Sequence, residues 1–170
     1  MTIALIAAVA QNGAIGKDNA LLWHLPADMK FFRETTQGHV VITGRKNYES
    51  IPPKFRPLPN RTNIVVTRQT GYRAPGAIVM HSLENALAEA RKLENDTCFI
   101  IGGGELYREA LQKDLADKLI ITHVNTTPQA DTFFPEIAPE NWSVVTKTKL
   151  SADNSNPFDM EFVVYSRNRR

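Results

Sequence analysis

Asp28 lies in Leu21-Leu22-Trp23-His24-Leu25-Pro26-Ala27-Asp28-Met29-Lys30-Phe31-Phe32, a carboxylate set among apolar and aromatic neighbours. Pro26 suits the first turn of a helix, where its missing N–H costs nothing, and Asp28 and Phe32 then stand four residues apart on one helical face. An acid and a ring thus line the same wall. Upstream, Asn12-Gly13-Ala14-Ile15-Gly16 and Asp18-Asn19 are turn formers, so Trp23 arrives on a flexible segment able to close over whatever Asp28 holds. That describes a site with a lid. Asp28 also has a plainer account, as a first-turn acid that complements the helix dipole.

A second chemistry is carried by two strand-to-helix turns, Gly44-Arg45-Lys46 and Gly102-Gly103-Gly104-Glu105. Helix N-termini offer free backbone N–H groups and partial positive charge to an anion, so the two turns point to phosphate. Glycines that merely permit tight turns would give the same letters. The common dinucleotide fingerprint is not met: residues 102–104 lack the G-x-G-x-x-G spacing, and the first strand leads into no glycine-rich helix. A nucleotide could still bind across the strand ends of a different sheet. No metal is expected.

The elements that must position these residues can be read along the chain. Ile3 to Ala10 is an apolar run ending at Gln11-Asn12-Gly13, the pattern of a buried central strand; it lacks the charged flank of a signal peptide. Further strands are expected at His39–Thr43, Thr62–Thr67, Ala77–Met80, Thr97–Ile101 and Lys118–Val124. Four prolines between Pro52 and Pro59 predict an ordered loop without helix. Ser82 is the N-cap of a helix whose Leu83, Ala86, Leu87, Ala90 and Leu93 repeat at helical spacing, and a second such helix carries Leu106, Tyr107, Ala110 and Leu111. Trp142–Lys149 and Phe158–Ser166 read as two antiparallel strands joined by a loop. The expectation is a single α/β domain: an eight-stranded mixed, mostly parallel sheet, helices on both faces, and a C-terminal antiparallel hairpin.

Composition narrows the function classes. A chain of 170 residues, 42% hydrophobic and 22% charged, with a net charge of +2, is long enough for one domain burying roughly 70% of its unfolded surface. It has neither the bias of a disordered chain nor that of a polyanion-binding tail, so no nucleic-acid partner is expected. No run approaches the ~20 apolar residues that span a bilayer, and no membrane partner is expected. The single Cys98 sits in an apolar run and can form no internal disulfide, consistent with a reducing, cytoplasmic setting.

Taken in order, Ile15-Gly16, Leu22-Trp23-His24-Leu25-Pro26-Ala27-Asp28, Thr43-Gly44-Arg45 with Tyr48-Glu49-Ser50-Ile51, Arg56-Pro57-Leu58-Pro59-Asn60-Arg61, Ile100-Ile101-Gly102-Gly103-Gly104-Glu105-Leu106-Tyr107, and Ile121-Thr122-His123 before Asp131-Thr132 resemble the dihydrofolate reductases of bacterial type over essentially the whole chain. The resemblance implies one domain in which an adenosine-binding subdomain, about residues 39–95, is inserted in a loop subdomain. It implies NADPH-dependent reduction of 7,8-dihydrofolate to tetrahydrofolate, which supplies one-carbon carriers. It also implies binding of diaminopyrimidine and pteridine antifolates, and a monomer.

On this resemblance Asp28 meets the 2-amino group and N3 of the pterin with two charge-assisted hydrogen bonds. Thr122 steadies it by a hydroxyl and an ordered water. The carbonyls of Ile6 and Ile101 face the nicotinamide and pterin region, while Phe32, Ile51 and Leu58 clamp the aminobenzoyl group, although core packing accounts for those three equally well. Arg61 pairs with the α-carboxylate of the glutamate tail, or is a solvated loop arginine. The nicotinamide lies against Ala7, Ala8, Ile15 and Tyr107, with Gly16 and Leu106 adjoining, and the pyrophosphate lies between the glycine turns at Gly44 and at Gly102, Gly103 and Gly104. A cis peptide is implied at Gly102-Gly103. Arg45, with Thr67 and Arg68, takes the 2′-phosphate, and Lys46 adds charge. Asn47 stands where the family commonly has threonine on the pyrophosphate, and Glu105 where a basic or small residue is frequent.

Hydride transfer to C6 of dihydrofolate is slow unless N5 is protonated, and no acid adjoins N5. The family's logic brings that proton by water past a lid containing Asn19, Leu21, Leu22 and Trp23, while Asp28 anchors the ring. Two other readings stay open from the residues: a pyrimidine reductase of riboflavin synthesis on the same sheet, and a nucleotide-binding protein without catalysis.

Overall fold

The computed structural model describes residues 1–18, 20, 22–93 and 96–168. Asn19 and Leu21, both expected in the lid, lie outside the described residues.

The first strand, β1 (Thr2–Ala10), takes the centre of the sheet because its side chains are apolar on both faces. Successive strand residues point to opposite sides, so such a run must be covered twice. It is followed by β2 (Ala14–Gly16), α1 (Pro26–Thr36), β3 (Val40–Gly44), α2 (Arg45–Glu49), β4 (Thr62–Val66), β5 (Ile78–Met80), α3 (Leu83–Lys92), β6 (Thr97–Gly102), α4 (Gly104–Gln112), β7 (Lys118–Val124), β8 (Thr132–Phe133), β9 (Trp142–Leu150) and β10 (Met160–Arg167). The main sheet runs β5-β4-β3-β6-β1-β7-β10-β9. Neighbours from β5 to β7 are parallel, and β10 pairs antiparallel with both β7 and β9. The eight-stranded mixed sheet and its terminal hairpin therefore stand as the sequence predicts.

One face packs Ile3, Leu5, Ile42, Ile64, Ile100, Leu119 and Ile121 against Leu83, Leu87 and Ala90 of α3 and Leu106, Tyr107 and Ala110 of α4. The other carries Ala4, Ile6, Val41 and Phe99 against Phe31 and Phe32 of α1, and Val65 against Tyr48 of α2. Helices thus cover both faces. Burying each of the larger side chains stabilises the fold by roughly 1.5–3 kcal/mol. Cys98 is one of these buried residues, and burial pushes its thiol up to about 12. Ser82 caps α3 by accepting the Asn85 N–H at 3.0 Å, the expected role.

Two features differ from the sequence reading. The proline-rich loop contains one turn of 3-10 helix at Pro53–Phe55, with proline in its first turn where the missing N–H is harmless. A separate two-stranded ribbon joins β2 to β8, pairing Ala14 with Phe133 and Gly16 with Thr132. Elements of three and two residues are too short to show alternation, so tertiary pairing alone defines them. At the far edge, β9 exposes Val144 and Val145 together with Lys147 and Lys149. Arg167 fastens the hairpin: its Nε donates to the Ala116 carbonyl at 2.8 Å, Nη1 to Asp114 at 3.1 Å, and its guanidinium lies 4.5 Å from the Trp142 ring. Among the described residues, no helix is long and apolar enough to cross a membrane.

Candidate active site

Asp28 is the third residue of α1, which opens on Pro26 with the buried Leu25 before it. The helix crosses the sheet where β1, β7 and β10 meet; Thr122 of β7 is in register with Ala8 on one side and Phe162 on the other. Thr122 is 2% exposed, and its hydroxyl donates to Asp28 Oδ1 at 2.6 Å. That length is normal for a hydroxyl on an ionised carboxylate. Burial raises the Asp28 carboxyl above its ordinary 3.8, and the Thr122 bond partly offsets the rise. Asp28 is also the acidic residue of the first turn, as its plainer account has it, and it is half-buried with a buried partner.

Tyr107 of α4 is buried and donates its hydroxyl to the Ile6 carbonyl at 2.7 Å, with its ring 4.9 Å from that of Phe134. Burial, with the Asp28 charge adding to it, raises the phenol far above its ordinary 10.0. It therefore stays a neutral donor, and Tyr107 and Asp28 share one electrostatic environment.

An apolar wall continues from Asp28. Phe31, Phe32, Leu58, Ile101 and Ile120 are half-buried around Ile6 and Phe99, and the Phe31 ring meets Phe162 at 4.6 Å. Met29 and Phe55 are exposed. Of the three residues expected to clamp one ligand group, Phe32 and Leu58 share this cluster, whereas Ile51 packs with Tyr48, Val65 and Tyr72 in another. Ala7 and Ala8 likewise part: Ala7 packs beside Ile15 at the core that holds Leu106 and Tyr107, and Ala8 faces Trp23, Leu25 and Phe158. Arg61 is half-buried; Nε donates to the Pro59 carbonyl at 2.9 Å, Nη1 to Thr36 Oγ1 at 3.1 Å, and its guanidinium stands 5.9 Å from the Phe32 ring. Burial, and then the charge of Arg33, lower its proton affinity.

The two glycine turns touch. Thr43 is in register with Gly102, and a Cβ on Gly44 would come within 3.7 Å of the Gly103 nitrogen. The Gly102-Gly103 peptide is cis, with Gly102 at φ +133°, a region that only glycine enters readily. Asn47 seals the junction. Its Nδ2 donates to Thr43 Oγ1 at 3.0 Å and to the Ile101 carbonyl at 3.5 Å, and a Cβ on Gly102 would meet it at 3.1 Å. The departure at this position thus turns its amide inward and ties one turn to the other. Glu105 is exposed on the first turn of α4. Gly104 is packed so closely that a Cβ would lie 2.8 Å from Thr132 Cγ2.

Arg45, Lys46, Glu49 and Ser50 line an open depression of about 290 Å³ beside these turns. Arg45 Nη1 lies 2.7 Å from Glu49 Oε1, and the Tyr72 hydroxyl donates to Glu49 Oε2 at 3.2 Å. Thr67 is buried; its Oγ1 accepts the Gln69 N–H at 3.1 Å, and Arg68 beside it is exposed. The segment before α1 is tethered at Asp131, whose Oδ2 accepts the Asp18 N–H at 2.8 Å and whose own N–H donates to the Gly16 carbonyl at 3.1 Å. Asp131 and Asn156, which holds the start of α1, are absent from the sequence-derived set. Their turn-forming neighbours gave a signal for loops, and none for what those loops touch. Among the described residues, no group of three or more His, Cys, Asp or Glu could hold a metal ion.

Comparison with known proteins agrees with this geometry. A family model described as dihydrofolate reductase matches residues 2–167. A dihydrofolate reductase of Haemophilus influenzae is 44% identical over 167 residues, 98% of this chain and 99% of that one. One from Bacillus subtilis is 41% identical over 165 residues, 97% of this chain and 94% of the other. The solved structure of dihydrofolate reductase from Enterococcus faecalis, complexed with NADP(H) and RAB-propyl, superposes with a TM-score of 0.89 at 39% identity, covering 99% of this chain and 97% of that chain. With its motifs, its sheet order and its whole length in agreement, the chain belongs to the dihydrofolate reductase family.

Proposed function

We propose that this cleft reduces 7,8-dihydrofolate to 5,6,7,8-tetrahydrofolate with NADPH, and the single observation that carries the reading is the half-buried Asp28 held by the buried Thr122 beside Tyr107. A carboxylate with one oxygen already oriented can accept two parallel N–H bonds, the pattern that the 2-amino group and N3 of a pterin present. The carbonyls of Ile6 and Ile101 face the same ring. Phe32 and Leu58 hold the aminobenzoyl group between them, with Ile51 farther out, and Arg61 presents its fork to the α-carboxylate of the glutamate.

The residues fit a dinucleotide cofactor. The contact between the turns at Gly44 and Gly103 leaves backbone N–H groups of two helix starts on one side for a pyrophosphate, and Arg45, Lys46 and Arg68 with Thr67 supply charge and a hydroxyl for a 2′-phosphate. Ala7, Ile15, Gly16, Leu106 and Tyr107 form the apolar end beside the pterin, and Asn47 and Glu105 adjoin the pyrophosphate turns. The adenosine end rests on the subdomain of about residues 39–95. When bound, the cofactor supplies the hydride that goes to C6.

The chain's own contribution is orientation and proton management. Asp28, held by Thr122, fixes the ring and raises its proton affinity; water admitted past Trp23 and Leu22 delivers the proton to N5. Tyr107, kept neutral, orients the Ile6 carbonyl and excludes water from the reacting face. The enzyme works as a cytoplasmic monomer that diaminopyrimidine and pteridine antifolates inhibit, a setting supported by its lone buried thiol and its bacterial relatives. The test is direct. Reduced-nicotinamide absorbance should fall when dihydrofolate is added to enzyme and NADPH, and a flat trace with folded protein would refute the reading.

A further inference from the structure

Helix α1 begins with an electrostatic deficit. Its cap residue, Leu25, has no side-chain oxygen to offer, and Pro26 has no N–H, so the first backbone donor in need of a partner is that of Ala27. Ala27 itself is half-buried and packs on the cluster that holds Leu25, Trp23 and Phe158. The partner of its N–H comes from 129 residues away: Asn156 Oδ1 accepts it at 3.0 Å. Asn156 lies in the loop between β9 and β10 and is 5% exposed, a rare setting for an amide without a structural duty.

The orientation of that amide is fixed. Its Nδ2 donates to Asp153 Oδ1 at 3.0 Å and Oδ2 at 3.3 Å, and its backbone N–H donates to Asp153 Oδ1 at 2.7 Å. The Asp153 N–H returns a bond to the Asn156 carbonyl at 2.9 Å. With Nδ2 turned to the Asp153 carboxylate, the amide oxygen is the atom that faces the helix. Asp28 is the next residue after Ala27. The same β7–β10 pair therefore reaches the catalytic helix twice, through Thr122 at the carboxylate and through the loop leading into β10 at the backbone.

We infer that Asn156 is a positioning residue for substrate binding, a remote N-cap that sets the first turn of α1 so that the Asp28 carboxylate meets the pterin edge in plane. The inference rests on the reading of Asp28 as the ring anchor. Without the cap, the first turn relaxes toward a better-solvated N–H, and the two bonds to the ring lose alignment together. The cofactor turns at Gly44 and Gly103 belong to other elements and are untouched.

The experiment compares Asn156→Ala with the exchanged pair Asp153→Asn plus Asn156→Asp, which keeps an oxygen toward Ala27 and a donor-acceptor match within the loop. Asn156→Ala should raise KM for dihydrofolate about fivefold or more, the scale of a lost cap, and leave the Kd for NADPH measured by fluorescence within about twofold. The exchanged pair should recover most of the KM. Equal losses for both ligands, or parental KM in a folded Asn156→Ala protein, would overturn the inference. If that variant does not fold, Asp153→Ala, which frees the amide without deleting it, decides: the same KM split supports the assignment and a parental KM rejects it. A parent protein that binds NADPH but shows no dihydrofolate-dependent oxidation would instead strike the proposed function.

Discussion

Thr122 and Asp28, 94 residues apart in sequence, are joined by a 2.6 Å hydrogen bond in which the hydroxyl donates. The bond comes from the middle of the sheet to a helix start, so the position of the carboxylate is set by the most rigid part of the fold. The lone pairs the bond leaves over remain for a ligand.

Asp28→Asn separates function from stability. An amide keeps an acceptor for Thr122 but carries no charge, so activity at neutral pH should fall about 10²-fold or more and recover as the pH is lowered and solvent protonates the substrate. Stability should move the other way. Because burial raises the folded carboxyl above 3.8, the folded state holds a proton that the unfolded chain has released only between 3.8 and the folded value, and above both it keeps a carboxylate that is costly to bury. The stabilising contribution is complete below 3.8 and is lost as pH rises through the folded value. The Asn variant should therefore melt above the parent at neutral pH, with the gap closing toward acid; thermal melts over that range check it. A variant with parental activity at neutral pH would leave Asp28 a structural residue.

The Arg45–Glu49 pair bears on cofactor choice. At 2.7 Å the carboxylate occupies a face of the guanidinium that a 2′-phosphate would use. Arg45→Ala should raise KM for NADPH about tenfold with little change for NADH. Glu49→Gln should tighten NADPH by less than about tenfold, since a partly exposed pair is worth at most about 1 kcal/mol. Steady-state comparison of the two cofactors reads both; weaker NADPH binding in Glu49→Gln would mean that Glu49 supports the phosphate site by orienting Arg45.

Asp131 governs the segment before α1. Its carboxyl is held below 3.8, first by the Asp18 N–H and then by the Thr132 hydroxyl. A lowered value means that the tether is present above 3.8 and is lost as pH falls through the folded value. Asp131→Ala should release Asp18 at neutral pH, seen as faster hydrogen exchange of its amide, and slow turnover with only a small change in NADPH affinity. Unchanged exchange would show that the ribbon of β2 and β8 holds the segment unaided.

What the sequence reveals follows from how local each signal is. Strand β1 and helix α3 declare themselves because apolar period and capping are properties of neighbouring residues, and Asp28 is conspicuous through its unlike surroundings. The family resemblance places Thr122, although the letters of β7 do not say that its hydroxyl faces α1. The ribbon of β2 and β8 and the cap from Asn156 are illegible for one reason: each depends on a partner more than a hundred residues away, with no repeating pattern at either end. Ile51 and Ala8 pack in clusters other than those of Phe32 and Ala7, a side-chain direction that motif membership does not carry.

The position of β1 also shapes how the protein is made. Ile3 pairs with Cys98 and Ala7 with Ile121, so the strand at the middle of the sheet leaves the ribosome about 100 residues ahead of its partners. At ordinary synthesis rates that is roughly 5–20 s during which an apolar segment has no sheet to join. Newly made chains are thus open to capture by chaperones or by one another until β6 and β7 emerge and give β1 its two neighbours.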